Sequence, residues 1–211
     1  MLPSTGGAVI RIRSLIFLLI RFCLSRSEVG GSPGLIMTGN YRMRSAALED
    51  WPGIVALDQE IFGAYGAQEA PAIIRSRLVT FPQGCAVLEG ERGDGRPFIA
   101  GYLTTEKWAE LREPVLDEDP QESHRPDGRV LCITTLAVAP SCQNQGLGVR
   151  LLDRSISIAR QEGCGQIILE TAHAERFYLR HRFRRTGART ERGIEMAIMV
   201  LDLTDRGSRA P

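Results

Sequence analysis

The feature that most constrains the fold of this chain is the stretch QNQGLG, residues 143–148. The apolar, β-branched run RVLCITTLAVAP precedes it, and VRLLDRSISIARQEG follows it with apolar residues at helical spacing. The sequence therefore predicts a buried strand, a glycine-bearing turn and a helix in immediate succession. The first N–H groups of such a helix lack intrahelical partners, and the helix dipole adds partial positive charge there. Glycines would let a phosphate approach the backbone, so the stretch indicates an anion-binding site.

The spacing of the two glycines excludes two familiar phosphate sites. Gly146 and Gly148 are not followed by the lysine and Ser/Thr of a nucleoside triphosphate loop. The third glycine of the GxGxxG dinucleotide pattern is also missing, and the motif lies late in the chain. A helix start whose glycines serve only packing is the alternative for a bare GxG.

Length and composition favour one globular α/β domain. A chain of 211 residues with 43% hydrophobic and 24% charged residues is ordinary for a single domain. The formal net charge of +1 gives no indication of nucleic-acid binding. Five cysteines are scattered without a CxxC pair, which argues against a disulfide framework or a zinc site and suits the cytoplasm.

The N-terminal segment differs from the rest. RIRSLIFLLIRFCLSRS resembles a secretory leader, but its apolar core at 15–20 is short, ends at Arg21 and precedes no clear cleavage site. The core is also shorter than the ~20 apolar residues that span a bilayer. We interpret residues 1–37 as a leader or linker, disordered or belonging to an over-extended gene start, with translation beginning at Met37. A membrane-surface anchor is the alternative.

The remaining patterns predict a mixed α/β domain over residues 38–203 and a flexible tail at 204–211. The expected elements are a strand at 41–46, a helix capped by Asp50, a helix at 70–80, hairpin strands at 85–89 and 98–105, the strand and helix around QNQGLG, the strand QIILET, a short helix in AERFYLRHRF and two closing strands. Residues 109–128 are acidic, contain prolines and lack apolar periodicity. We predict that they form a surface loop beside the substrate site.

Two separated motifs resemble a known family. LAVAPSCQNQGLGVRLL is similar to the Q/R-x-x-G-x-G/A motif of the GNAT acetyltransferases and to the V-x-P strand end before it. RFYLRHRF resembles the aromatic FY segment of the same family, although Arg182 replaces the usual glycine before Phe183. The resemblance covers about residues 40–203. It implies the GNAT acyltransferase fold, a mixed central β-sheet flanked by helices in a single domain, and acetyl transfer from acetyl-CoA.

The resemblance also implies a set of site residues. Tyr178 stands at the family's tyrosine position, and a phenol with a pKa of about 10 is suited to protonating a departing thiolate. We predict Tyr178 as the general acid; a packing role beside Phe177 is the alternative. The predicted acetyl-CoA-binding residues are those of the open strand, Leu136, Ala137 and Val138, and those of the glycine loop, Gln143, Asn144, Gln145, Gly146, Leu147, Gly148 and Val149.

The general base is left open by the sequence, because strand 130–138 carries neither a carboxylate nor a histidine. The chain is also similar to the arylalkylamine N-acetyltransferases in ALEDWPGIVALDQEIF and SHRPDGRVL, but Cys132 and Thr134 occupy the positions of that group's two histidines. The remaining candidate bases are Glu60, Glu106, Glu170, His124 and His173.

These features predict an acetyl-CoA-dependent N-acetyltransferase in the cytoplasm, without a metal, that acts on a small primary amine. The acidic 109–128 segment would favour a cationic amine. The alternatives are acetylation of protein N-termini or lysines, and a non-catalytic acyl-CoA-binding regulatory module. We expect no nucleic-acid partner, we disfavour membrane attachment, and a homodimer stays open.

Overall fold

The computed structural model describes residues 40–191 and 193–204, which build a seven-stranded mixed sheet in the order β1-β2-β3-β4-β5-β7-β6. Neighbouring strands are antiparallel except β4 and β5, which run parallel. This arrangement confirms the predicted fold class and order of elements. The strands are β1 Arg42–Ser45, β2 Ala86–Glu91, β3 Pro97–Trp108, β4 Val130–Val138, β5 Gln166–Thr171, β6 Arg184–Glu191 and β7 Ile194–Asp202; the helices are α1 Trp51–Phe62, α2 Pro71–Thr80, α3 Pro120–Ser123, α4 Leu147–Gln161 and α5 Glu175–Arg180.

Helices α1 and α4 lie on opposite faces of the sheet. A Cβ atom on Gly101 of β3 would lie 3.3 Å from the Leu151 side chain of α4. The next residue, Tyr102, donates a hydrogen bond to Asp58 of α1. Successive residues of a strand point to opposite faces, so the two helices flank β3 from either side. We call the face that carries Tyr102 the α1 face.

The core forms because α4 turns an apolar stripe towards the sheet. Leu151, Leu152 and Ile158 of this helix are almost fully buried, and each such side chain contributes roughly 1.5–3 kcal/mol. Gly163 follows the helix with a φ of 70°, the left-handed conformation that ends helices. A second apolar cluster lies over the strands β3, β4, β5 and β7 and comprises Trp108, Val130, Cys132, Ile168, Ile198 and Val200.

The predicted capping role of Asp50 is wrong. Its backbone is already helical, with φ −76° and ψ −15°, because a 3-10 turn over Leu48–Asp50 precedes α1. The carboxylate therefore points back, accepts the N–H of Ala47 at 2.8 Å and pairs with Arg44 at 2.6 Å. Asp50 thus fixes the connection from β1 to α1 instead of capping α1.

Residues 109–128 form mostly a surface loop, as predicted, but the loop is anchored to the fold. The segment contains the short helix α3, and its Pro114 and Pro120 are buried. Three hydrogen bonds tie it to neighbouring elements: Ala70 N to Asp117 at 2.7 Å, Ser76 Oγ to Asp119 at 2.8 Å and Ser123 Oγ to Glu106 at 2.8 Å. The segment is held along α2 because Asp117 and Asp119 accept hydrogen bonds from Ala70 and Ser76, contacts that no periodicity in the sequence indicates.

The predicted leader at 1–37 and most of the predicted tail lie outside the described residues. Of the helices between residues 40 and 204, none combines the length and apolarity that crossing a membrane requires.

Candidate active site

Strands β4 and β5 form a fork in the sheet. They pair only over residues 130–132 and 166–168, although β4 continues to Val138 and β5 to Thr171. The other edge of β4 stays paired with β3 as far as Val138. Residues 133–138 therefore turn one edge of their backbone to the fork, and such an edge offers N–H and C=O groups to an extended ligand. Leu136, Ala137 and Val138, which the family resemblance predicts to bind acetyl-CoA, lie in this open stretch.

The glycine loop connects the end of the open strand to α4. A 3-10 turn over Pro140–Cys142 leads into it, and the Gln143 amide donates to the Val138 carbonyl at 3.3 Å. Gln143, Asn144, Gln145 and Gly146 are exposed, Leu147 is buried, and Gly148 and Val149 are partly buried. The N–H groups of the first turn of α4, which follows the end of the open strand, lack intrahelical partners.

The two glycines of the loop have different reasons to be glycine. Gly146 precedes α4 with a φ of 77°, which a side chain would disfavour. A Cβ atom on Gly148 would meet nothing closer than the Phe177 ring at 3.8 Å, an ordinary contact. No intramolecular contact among the described residues requires glycine at 148, and its role in binding acetyl-CoA stays a prediction.

Tyr178 lies on α5, which packs against the start of α4 through Phe177 and Gly148. Its ring contacts Phe177 and Phe183 edge-on, with centroid distances of 5.1 and 5.4 Å. Burial raises the pKa of Tyr178, which keeps the phenol protonated at neutral pH. The structure thus brings the helix that carries the predicted acid beside the glycine loop, and the catalytic role of Tyr178 stays a prediction.

A β-bulge shapes the α1 face of the fork. Thr104 pairs with Thr135 and Thr105 with Ile133, which leaves Thr134 as an extra residue in β4. The Thr134 hydroxyl lies 2.8 Å from the Thr104 hydroxyl, and Thr135 shares the face of its partner Thr104. Because of the bulge, two consecutive threonine side chains, both partly buried, lie on one face where β4 leaves β5.

The two glutamate candidates for the general base, Glu106 and Glu170, are both engaged in ion pairs. Glu106 is buried and held by Arg77 at 3.2 Å, by the Trp108 indole at 2.6 Å and by Ser123, so it serves the fold. Glu170 lies on the α1 face across the fork from Thr134, but Arg189 binds both of its oxygens at 2.7 and 2.9 Å.

The two histidine candidates have different surroundings. His124 accepts the N–H of Lys107 through Nδ1 and stacks on Phe81, and burial followed by the charge of Lys107 lowers its pKa. His173 lies exposed between β5 and α5, and Glu60 is exposed on α1. Among residues 40–191 and 193–204, no group of His, Cys, Asp and Glu side chains could hold a metal ion.

Sequence reasoning missed two buried groups on the α1 face. Asp58 of α1 is 2% exposed and accepts the Tyr102 hydroxyl on one oxygen and the Glu69 N–H, at 2.9 Å, on the other. Burial raises the pKa of Asp58, and the Tyr102 hydrogen bond opposes this shift. The signal was present in the sequence, since Asp58 falls four residues after Ile54, within the apolar stripe of α1.

Comparison with known proteins defines the family. The sequence profile of the acetyltransferase (GNAT) family matches residues 51–187, well over half of the chain. The chain therefore belongs to the GNAT acetyltransferase family, which confirms the predictions of an N-acetyltransferase and of acetyl-CoA as its co-substrate. No curated protein sequence matches the chain.

Solved structures agree in fold and differ in what they do. The loading GNATL domain of CurA from Lyngbya majuscula superimposes with a TM-score of 0.67 at 20% identity, over 79% of this chain and 99% of that domain. The GphF GNAT-like decarboxylase with isobutyryl-CoA gives 0.62 at 21% identity, over 77% and 99%. The NatC complex bound to Gag peptide and CoA gives 0.60 at 17% identity, over 77% and 98%. At these identities the likeness establishes the fold and leaves the acceptor open.

Proposed function

We propose that this protein transfers the acetyl group of acetyl-CoA directly to the primary amine of a small molecule. The observation that carries the proposal is the anchoring of the 109–128 segment beside the α1 face. The Asp58–Tyr102 pair is buried behind this face, and the Glu170–Arg189 pair joins β5 to β6. The 109–128 segment is tied to Ala70 and to Ser76 of α2, and Arg112 lies over the Trp108 ring at 3.8 Å. An extended peptide would have to displace that segment, whereas a small acceptor would not.

The direct mechanism needs few groups, and each has a counterpart near the fork. The first N–H groups of α4 hold the pyrophosphate, and the open edge of β4 pairs with the pantetheine arm and polarises the thioester carbonyl. The neutral amine attacks this carbonyl carbon, and the tetrahedral intermediate collapses with cleavage of the carbon–sulfur bond. The proton that the attacking nitrogen loses in this step replaces the one that Tyr178 gives to the thiolate. Tyr178 protonates the departing thiolate, a role supported by its place on α5, whose Phe177 ring lies against Gly148.

The buried charges favour a cationic acceptor. Asp58, Glu69 and Glu106 are all buried beside the α1 face, and Arg77 pairs with the two glutamates. Carboxylates thus outnumber the arginine in this cluster, and a negative potential attracts an ammonium group. The 109–128 segment contributes less than its composition indicates, because Asp117 and Asp119 are engaged in holding it in place. Four buried free thiols, Cys85, Cys132, Cys142 and Cys164, favour the cytoplasm as the place of this activity.

Thiol release from acetyl-CoA, measured with spermidine, phenethylamine, lysine and short peptides, tests the proposal. We expect turnover on a small amine, and Tyr178→Phe to lower kcat at least ~100-fold with little change in KM for acetyl-CoA. Phe183→Leu is the matched control, because it disturbs the same aromatic cluster without removing a proton donor. Turnover with peptides alone would indicate that the acceptor is a protein and not a small amine. Saturable CoA binding without any turnover would favour the non-catalytic module.

A further inference from the structure

We propose that Asp58, Tyr102 and Thr135 form a chain that takes the proton from the acceptor amine. The inference rests on the proposed amine acetylation and deepens it by assigning the proton acceptor that the sequence left open. Thr135 is the member that meets the amine. Tyr102 and Asp58 act through it, so we regard both as positioning residues and proton carriers.

The geometry of the chain runs from the core to the fork. The Tyr102 hydroxyl donates to Asp58 Oδ1, and both side chains are almost fully buried. Thr135 lies diagonally across the β3–β4 pair from Tyr102 and on the same face, two residues before Ala137, which pairs with Tyr102. Diagonal neighbours of this kind are within reach of an aromatic side chain. Thr135 is partly exposed and belongs to the open stretch of β4. The chain therefore has a buried carboxylate at one end and a hydroxyl beside the thioester path at the other.

The surroundings of Asp58 make it the acceptor end. Burial and the nearby carboxylate of Asp117 disfavour a negative charge on Asp58, whereas the donors Tyr102 and Glu69 N–H hold it in place. From the α1–α2 connection the Glu69 carboxylate also faces this site, and Arg77 of α2 is already bound to it. Asp58 has no cationic partner among the described residues to hold it ionised, unlike Glu170, whose oxygens are both occupied by Arg189.

The proton transfer balances without any further reactant. The ammonium group gives one proton to the Thr135 oxygen, the Thr135 hydroxyl proton passes to the Tyr102 oxygen, and the Tyr102 proton passes to the Asp58 carboxylate. The products are a neutral amine, which can attack the thioester, and a neutral carboxylic acid. After acyl transfer and product release, the same path in reverse returns the proton to water.

The test compares the pH dependence of turnover in full-length protein. Wild type, Asp58→Asn, Tyr102→Phe and the control Thr105→Val are assayed with acetyl-CoA and phenethylamine from pH 6 to pH 10, with Tm measured at each pH. Thr105 is a suitable control because it lies on β3, as Tyr102 does, and its hydroxyl donates a buried hydrogen bond to Gly84 O at 2.8 Å. Its removal weakens the fold in a similar way without touching the chain.

We expect Asp58→Asn to lower kcat/KM about 100-fold at pH 7, within the usual range for a lost general base. The deficit shrinks as the pH approaches the pKa of the amine, because water then supplies the neutral nucleophile. Tyr102→Phe behaves in the same way, and Thr105→Val keeps the wild-type profile. Two outcomes would contradict the proton-transfer chain. One is a wild-type pH profile in both Asp58→Asn and Tyr102→Phe, and the other is a loss of activity that persists at pH 10 and follows Tm.

A second measurement separates failure of the chain from failure of the proposed function. Carbon-13 NMR of aspartate-labelled wild type, with Asp58→Asn for assignment, follows the Asp58 carboxyl directly. If the Asp58 carboxyl group titrates with an ordinary aspartate pKa, the proton-transfer chain is contradicted, even if an amine is acetylated. Absence of turnover on any amine, with Asp58 titrating above the ordinary range, overturns the proposed function instead.

Discussion

Arg182 occupies a position where the backbone conformation favours glycine. It follows α5 with a φ of 70°, and the N–H groups of Arg182 and Phe183 bond back to Leu179 O and Tyr178 O. This is the left-handed position after a helix, where glycine is the usual residue because it has no Cβ atom. The glycine expected here from the family resemblance thus has a physical reason, and arginine carries a conformational cost.

Replacement of that arginine should stabilise the protein. We expect Arg182→Gly to raise the free energy of unfolding by about 0.5–1 kcal/mol, since relief of left-handed strain exceeds the added entropy of the unfolded glycine. Urea denaturation measures the change. Arg184→Gly, at an exposed position in extended strand β6, should instead lose stability. Equal losses in both variants would show that the Arg182 side chain contributes more than its backbone costs.

At the scale of elements, the two loop glycines can be told apart by experiment. Gly146→Ala should cost about 1 kcal/mol of stability, because alanine disfavours a φ of 77°. Gly148→Ala should be neutral or slightly stabilising, because alanine favours the first turn of α4 and meets only the Phe177 ring at 3.8 Å. Its effect should be on the ligand instead.

Calorimetric titration with CoA, beside thermal unfolding, checks this difference. We expect Gly148→Ala to weaken CoA binding at least tenfold at unchanged Tm, because the added methyl group occupies the approach to the helix N-terminus. Unchanged CoA affinity in Gly148→Ala would mean that packing, and not a phosphate, is the reason for this glycine.

The elements that sequence could predict are those specified by local pattern. Helix α4, strand β5 and the turn at Gly163 follow from apolar periodicity and a glycine stop. The bulge at Thr134 and the anchoring of 109–128 depend on partners far away in the chain, such as Thr104 and Ala70. Periodicity carries no information about such partners, so the shape of the acceptor side could not be predicted, whereas the glycine loop could.

Across the whole molecule, buried charges join the helices to the sheet. Arg77 of α2 binds Glu69 at 2.6 Å and Glu106 of β3 at 3.2 Å, and all three side chains are almost fully buried. Asp58 extends this network to α1 and Tyr102. Burial of so many carboxylates carries a desolvation cost, which appears in the raised pKa of both Asp58 and Glu69, with burial as the main cause.

The raised pKa values predict how stability depends on pH. A carboxyl with a higher pKa in the folded state binds more protons there than in the unfolded state. Its contribution to stability therefore falls as the pH rises from about 4 through the folded pKa. Asp50, whose pKa Arg44 lowers, acts in the opposite direction and only at lower pH. His124, with its lowered pKa, adds stability as the pH rises towards about 6.5.

Comparing Asp58→Asn with wild type isolates the Asp58 contribution, because Asp50 and His124 are common to both proteins. We expect the free energy of unfolding of the variant, relative to wild type, to increase steadily from pH 5 to pH 8, since asparagine cannot ionise. Urea denaturation at each pH measures this difference, and Thr105→Val should show a constant one. A difference that stays flat or decreases for Asp58→Asn would mean that the buried carboxyl is ionised throughout, and the stability of the sheet would then depend on that charge.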